Sequence, residues 1–247
     1  MISHEPRCIY DTNPLAEVIC QLRFPEILSI QTQIPADFQD AIRHIFPKYT
    51  VHKEAIPNQN PPTNNYQFMT ADGLWRVNLT SKFISLACTK YTCWEDFAGM
   101  LDKPLASFIQ IYKPAYFERI GLRYVNFISR KQLHLEAVPF KDLMEPCYLG
   151  ILSEEDVLEA ATIRCSVDVE TALRGGCRVK IHAGPGKVNR NGKMDPEVKF
   201  IFDQDLYMAG NIPVNASAGA LQTLHGQSYG IFRGAITDKL HDAMDPN

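Results

Sequence analysis

The chain has 247 residues, 25 Lys plus Arg against 28 Asp plus Glu, a formal net charge of -3, 45% hydrophobic residues and 21% charged residues. Such fractions belong to a globular chain and exclude a disordered chain, a collagen-like fibre and a disulfide-dense mini-protein. They also exclude a protein that coats nucleic acid through net positive charge alone.

No run of about 18 apolar residues occurs, so no segment is expected to span a bilayer. The start, Met1-Ile2-Ser3-His4-Glu5-Pro6-Arg7, lacks the apolar stretch of a signal peptide. A cytoplasmic protein is expected. The seven cysteines, Cys8, Cys20, Cys88, Cys93, Cys147, Cys165 and Cys177, are odd in number and scattered. Mostly buried free thiols in a reducing compartment explain them better than a disulfide framework.

The first strand runs from Leu15 to Phe24. Val18, Cys20, Leu22 and Phe24 fall on one face, and Glu17, Ile19, Gln21 and Arg23 on the other. A short helix begins at Pro35-Ala36-Asp37, turns Phe38, Ile42 and Ile45-Phe46 inward, and stops at Pro47. Residues 53–65 are polar and rich in Pro and Asn, which predicts a loop. Strands follow at about 66–70, 73–79 and 82–89, with turns at Asp72-Gly73 and Thr80-Ser81-Lys82. Thr92 is placed to cap a helix over 93–113 that carries Trp94, Phe97, Leu101, Leu105, Phe108 and Tyr112. Pro104 is expected to kink or divide it.

Phe117 to Ser129 reads as a central strand covered on both sides. Arg119, Gly121 and Arg123 share one face, Tyr124 and Asn126 the other. Residues 130–160 are mixed and carry a solvated acidic stretch, Glu154-Glu155-Asp156 with Glu159. Two half-buried antiparallel strands then appear, 163–170 and 177–182. A loop at Arg174-Gly175-Gly176 sets Glu170 opposite Lys180 and Asp168 opposite His182, and both pairs are charge-complementary. A loop over 184–197 leads to a third strand, 198–203. Gly184-Pro185-Gly186-Lys187 lacks the full phosphate-loop pattern and reads as a hairpin connection, which Asn191-Gly192 supports. One long helix from Ser217 to Met244 closes the chain. Gly226, Gly230 and Gly234 recur along it, each costing about 1 kcal/mol relative to Ala, so close approach of another backbone, such as the sheet, is expected.

The expected fold class is α+β. It has one or two antiparallel sheets and two long helices, 93–113 and 217–244, with a pseudo-duplicated order of β-rich segment then helix in each half. The halves, 1–130 and 131–247, are expected to pack as one compact unit.

Two arginines inside an apolar strand must be paired or line a wet cavity, because an unpaired buried charge costs several kcal/mol. Arg119 and Arg123, with Tyr124, Asn126 and Glu17, are therefore the candidate site for an anion or a protein partner. Structural ion pairing, with Glu17 as one answering carboxylate, is the plainer reading of the same arginines. Arg174, Arg178, Lys180, Lys187, Arg190 and Lys193 concentrate positive charge and are the candidate nucleic-acid contacts, partly cancelled by Asp168, Glu170, Asp195 and Glu197. Metal-ligand spacing is absent around Cys88 and Cys93, so no metal or other cofactor is expected. No Gly-x-Ser-x-Gly elbow occurs, and catalytic residues are not identified. His182 and His225 are the candidate bases should the protein be a hydrolase.

Asn13-Pro14-Leu15-Ala16-Glu17-Val18, Arg119-Ile120-Gly121-Leu122-Arg123-Tyr124-Val125-Asn126, and the C-terminal Leu224-His225 with Phe232 to Ile236-Thr237-Asp238-Lys239-Leu240 carry a resemblance. Over nearly its whole length the chain resembles a sporadically distributed family of uncharacterised prokaryotic proteins. The resemblance implies a patchily inherited cytosolic accessory protein of mobile-element or defence gene sets, and implies no catalytic residues. The sequence thus points to a non-enzymatic recognition protein that binds a protein partner. A nucleic-acid-binding subunit of RNA-processing type and a hydrolase are the alternatives. A homo-oligomer is compatible with the sequence.

Overall fold

The computed structural model describes residues 2–54, 63–190 and 192–247. The elements run β1 (Leu15–Arg23), α1 (Leu28–Thr32), α2 (Ala36–Ile42), β2 (Lys48–Glu54), β3 (Thr63–Met69), β4 (Trp75–Leu79), β5 (Phe83–Cys88), α3 (Trp94–Tyr112), β6 (Phe117–Ile128), β7 (Val167–Ala172), β8 (Arg178–Arg190), β9 (Lys193–Ile212), α4 (Ser217–Arg233) and α5 (Asp238–Ala243). Between β6 and β7 the chain makes four short 3-10 turns, the first Phe140–Asp142 and the last Glu159–Ala161. The strands form one antiparallel sheet in the order β2-β3-β4-β5-β1-β6-β9-β8-β7. The fold is therefore α+β, as the patterning requires. No helix among the described residues is long and apolar enough to cross a membrane.

Two compact units are resolved by their contacts. One holds Glu17–Leu122 and Tyr207–Gln222; the other holds Met1–Ala16, Arg123–Leu206 and Thr223–Asn247. They are named here the 17–122 unit and the 123–206 unit.

In the 17–122 unit, period-2 alternation works as the sequence predicts. Val18, Cys20, Leu22 and Phe24 are buried, and Glu17, Ile19, Gln21 and Arg23 are not. Asp72 closes the β3–β4 turn by accepting from the Leu74 N–H at 3.0 Å, with Gly73 at φ +77°. Helix α3 packs its stripe of Trp94, Phe97, Leu101 and Phe108 inward, and Phe108 meets Phe24 at 4.6 Å between ring centres. Three expectations need correction. Pro104 does not divide α3, which runs unbroken for 19 residues; one lost donor is outweighed by an apolar stripe buried along the helix. The helix is capped at Cys93, while the Thr92 hydroxyl bonds the Asp96 carboxylate. The polar segment read as a loop contains the end of β2 and the start of β3; residues 55–62 of it lie outside the described residues. β2 pairs with β3 alone, and the burial of residues 48–53 shows no alternation, since every one is exposed.

In the 123–206 unit, rings build the core: Phe140 on Phe200 at 5.4 Å, Tyr148 on Phe202 at 5.2 Å and Phe202 on Phe232 at 6.1 Å. The expected β7–β8 register is observed, with Asp168 opposite His182 and Glu170 opposite Lys180. The strand starts four residues later than the sequence suggests, and Ile163 is fully exposed. The segment expected as a loop over 184–197 is strand: β8 runs to Arg190 and β9 starts at Lys193, with Gly192 at φ +77° in the turn. Gly184 is a close-approach glycine inside β8, because a Cβ there would stand 2.4 Å from the Cys165 carbonyl oxygen.

The expected second long helix ends early. α4 stops at Arg233, and among the described residues three helices reach seven residues: α2, α3 and α4. Residues 234–237 leave the helix to pair with the chain after Phe140. Glu145 N–H donates to Ala235 O at 2.9 Å and Thr237 N–H to Leu143 O at 3.0 Å. Thr237 then caps α5, accepting from Leu240 N–H at 3.4 Å. These tertiary bonds replace the intrahelical ones that helical continuation would have made. The glycine expectation is met at Gly230, but by another partner than the sheet. A Cβ there would lie 2.8 Å from the Ser3 carbonyl oxygen, in the N-terminal segment.

Candidate functional site

The 123–206 unit presents one sheet face on which charged side chains cluster around a depression. Alternation sends Arg123 outward from β6, Asp203 and Asp205 from β9, Lys180 and His182 from β8, and Asp168 and Glu170 from β7. Phe202, Leu206, Val179 and Ala183, at the alternate positions of β8 and β9, are buried. The outward groups surround a shallow depression of about 420 Å³.

The charges are zipped in cross-strand pairs. Arg123 grips Asp203 with two bonds, Nε to Oδ1 at 2.8 Å and Nη2 to Oδ2 at 2.5 Å. His182 Nδ1 lies 2.7 Å from Asp168 Oδ1, and Lys180 Nζ lies 3.5 Å from Glu170. Asp205 adds a fourth carboxylate to the lining, against the permanent cations Arg123 and Lys180. The carboxylates outnumber the permanent cations, so the depression is acidic.

The remaining sequence candidates fall elsewhere. Tyr124 and Asn126 point to the opposite face, 4% and 2% exposed. Tyr124 Oη lies 2.8 Å from His225 Nδ1, and Asn126 Nδ2 donates to Phe202 O at 3.1 Å. They support the strand from behind. Arg119, in the 17–122 unit, lies over the Tyr207 ring at 4.5 Å and crosses Gly121, where a Cβ would collide with its guanidinium. Glu17 pairs with Arg76 at 3.5 Å. The exposed Arg123 thus meets a carboxylate, and the contacts of Arg119 include a ring face.

The six basic candidates do not form one patch. Arg174 lies in the turn before β8 and Arg178 at its start, Lys187 lies towards its end and Lys193 opens β9, and Lys180 is paired. At about 3.3 Å per residue the two ends of the strand stand roughly 40 Å apart. The Arg190 side chain lies outside the described residues. Asp195 and Glu197 are engaged by Lys199, at 2.5 and 3.8 Å. Glu197 also accepts from Ser129 Oγ at 2.7 Å, tying β9 to the end of β6.

Sequence reasoning missed Asp203 and Asp205 as site residues. The signal was present: Ile201, Asp203 and Asp205 alternate with Phe200, Phe202 and Gln204. Ending the strand at 203 hid the pattern. Among the described residues, no cluster of three or more His, Cys, Asp or Glu side chains is arranged to hold a metal ion. All seven cysteines are free thiols, and burial pushes Cys20 up to about 12, which makes it inert.

No family model matches the chain, and no curated protein matches it.

Proposed function

We propose that the protein is a non-enzymatic, cytoplasmic recognition protein that binds a protein partner at the depression around Arg123. The partner chemistry that fits is a segment presenting lysine or arginine side chains. The observation that carries the reading is the composition of the lining. Four carboxylates face two permanent cations on a rigid, hydrogen-bonded sheet. Potentials of this kind select and orient charged partners more than they add raw affinity. The mobile-element or defence setting implied by the family resemblance belongs to the same proposal, as does a pseudo-duplicated origin of the two units.

The test is binding of a purified lysine- and arginine-rich peptide. Affinity should fall with rising salt, and Glu170→Lys with Asp205→Lys should weaken it by at least about tenfold, the scale of a charge reversal at a partner surface. Equal binding by wild type and double variant, or no binding at low salt, refutes the reading.

A hydrolase is the second reading, supported by the Asp168–His182 contact. A carboxylate on Nδ1 orients the ring and leaves Nε2 as the base. The lining contains no Ser, Thr or Cys, so water would have to be the nucleophile. Turnover lost in His182→Ala, with the fold intact, would favour it. Nucleic-acid binding has less support, because β8 separates the basic residues; Lys187→Ala with Lys193→Ala abolishing salt-dependent RNA binding would revive it.

A further inference from the structure

A second cavity, of about 690 Å³, lies in the 123–206 unit away from the Arg123 depression. Its walls come from three parts of the chain: Ile2 and His4 of the N-terminal segment, Leu173 and Arg174 of the β7–β8 turn, and Gly226 and Gln227 of α4. Its size falls within the ordinary range for small-molecule sites, about 300–1,000 Å³.

Each wall is tied in place. Ser3 N–H donates to Gly230 O at 2.8 Å, Tyr229 Oη donates to Pro6 O at 2.9 Å, and Arg233 Nε meets Glu5 at 2.6 Å, which holds the N-terminal segment on α4. The turn is closed by Leu173 N–H to Cys177 O at 2.8 Å, with Gly175 and Gly176 at φ +73° and +75°. Gln227 Nε2 donates to Arg174 O at 3.0 Å and staples turn to helix. The space is therefore preformed, which lowers the ordering cost of an occupant.

One feature asks for an occupant. Gly226 costs α4 about 1 kcal/mol relative to Ala. Unlike Gly230 it is not repaid by a close contact, since a Cβ at 226 would meet nothing within 4 Å. The glycine keeps the cavity wall bare. The cavity's charge comes from Arg174, and no carboxylate lines it.

We propose that this cavity binds a small amphipathic anion: an aromatic or branched apolar body with a carboxylate or sulfonate facing Arg174. Ile2, Leu173 and the bare helix wall at Gly226 take the apolar body. The site is independent of the partner surface.

The probe is 8-anilino-1-naphthalenesulfonate, which carries a naphthalene body, a bridging N–H and a sulfonate. Its uncharged analogue N-phenyl-1-naphthylamine separates the anion from the apolar contribution. Wild-type protein should bind one sulfonate probe saturably with blue-shifted emission. Gly226→Leu should weaken it by about tenfold or more, the size expected when a fitted apolar pocket is filled, with the thermal midpoint unchanged or raised. Arg174→Ala should weaken the sulfonate probe but not the uncharged one, and should abolish the salt dependence. Glu170→Lys with Asp205→Lys should leave probe binding unaltered. Non-saturable binding, or equal binding by wild type and Gly226→Leu, overturns the proposal.

Discussion

Arg123 and Arg119 both belong to β6, one in each unit, and each makes a different kind of contact. Arg123 is 47% exposed and held by two parallel bonds to the 17%-exposed Asp203. Arg119 is laid flat across Gly121 onto the Tyr207 ring. A bidentate carboxylate is directional and roughly twice as strong per bond as a neutral partner, yet its oxygens keep capacity for a further donor. A ring face neutralises nothing and covers one side of the guanidinium. Arg123 therefore sits among acceptors that can recruit a cation. Two arginines that look equivalent in sequence differ in a contact they make, a bidentate carboxylate at Arg123 and a ring face at Arg119.

Alkaline pH should produce the largest effect, and it should not distinguish the units. In the 17–122 unit burial raises the Cys20 thiol from 9.0 to about 12 and the Tyr112 hydroxyl from 10.0 to about 12. In the 123–206 unit burial raises Tyr229 from 10.0 to about 12, and raises Tyr10 and Tyr148 further. The folded state keeps protons that the unfolded chain releases. Stability is thus intact below about pH 9 and is lost as pH climbs through the folded values. Urea midpoints at pH 8 and pH 10.5 should differ clearly, and coincident midpoints would contradict this burial.

Next in size is a pair of glycine substitutions, one per unit. Gly184→Ala puts a Cβ against the Cys165 carbonyl, which is backbone, and should cost about 2–3 kcal/mol, the scale of overpacking. Gly121→Ala meets only the far end of Arg119, which can swing away, and should cost about 1 kcal/mol. Urea denaturation of both variants checks the gap. Equal losses would mean that Arg119 is held as firmly as backbone.

What could be read from sequence tracks how local its cause is. Alternation fixes which face a side chain takes, so the burial of Val18, Cys20 and Leu22 and the pairing of Glu170 with Lys180 were legible in advance. So was the need for something to answer two arginines in an apolar strand. The identity of the answer was not legible. Asp203 lies 80 residues from Arg123, and Tyr207 lies beyond it on the same distant strand. Pairings at that separation depend on strand order, which periodicity does not encode. The broken terminal helix failed for the same reason. Locally, 234–237 continues a helical stripe; the bonds to residues 143 and 145 that pull it out are tertiary. Compositional grouping misled at the basic candidates, since residues close in sequence are far apart once β8 is extended.

Removing Asp203 probes the carboxylate-answered arginine. Asp203→Ala should cost about 1 kcal/mol, because a half-exposed Arg123 regains water. In a double-mutant cycle with Arg123→Ala the coupling should shrink as salt rises. A coupling that ignores salt would show that the pair works by packing.

Smaller still is the matching change at Arg119. Tyr207→Leu keeps an apolar side chain on the strand but removes the ring, and should cost about 0.5–1 kcal/mol, the range of a part-exposed cation–π contact. Its cycle with Arg119→Met should be nearly blind to salt, because a quadrupole at 4.5 Å acts at shorter range than a charge. The two cycles together test whether the arginines differ in kind. If the Tyr207 cycle is as salt-sensitive as the Asp203 cycle, the ring contact does not act as a cation–π interaction, and the contrast between the two contacts disappears.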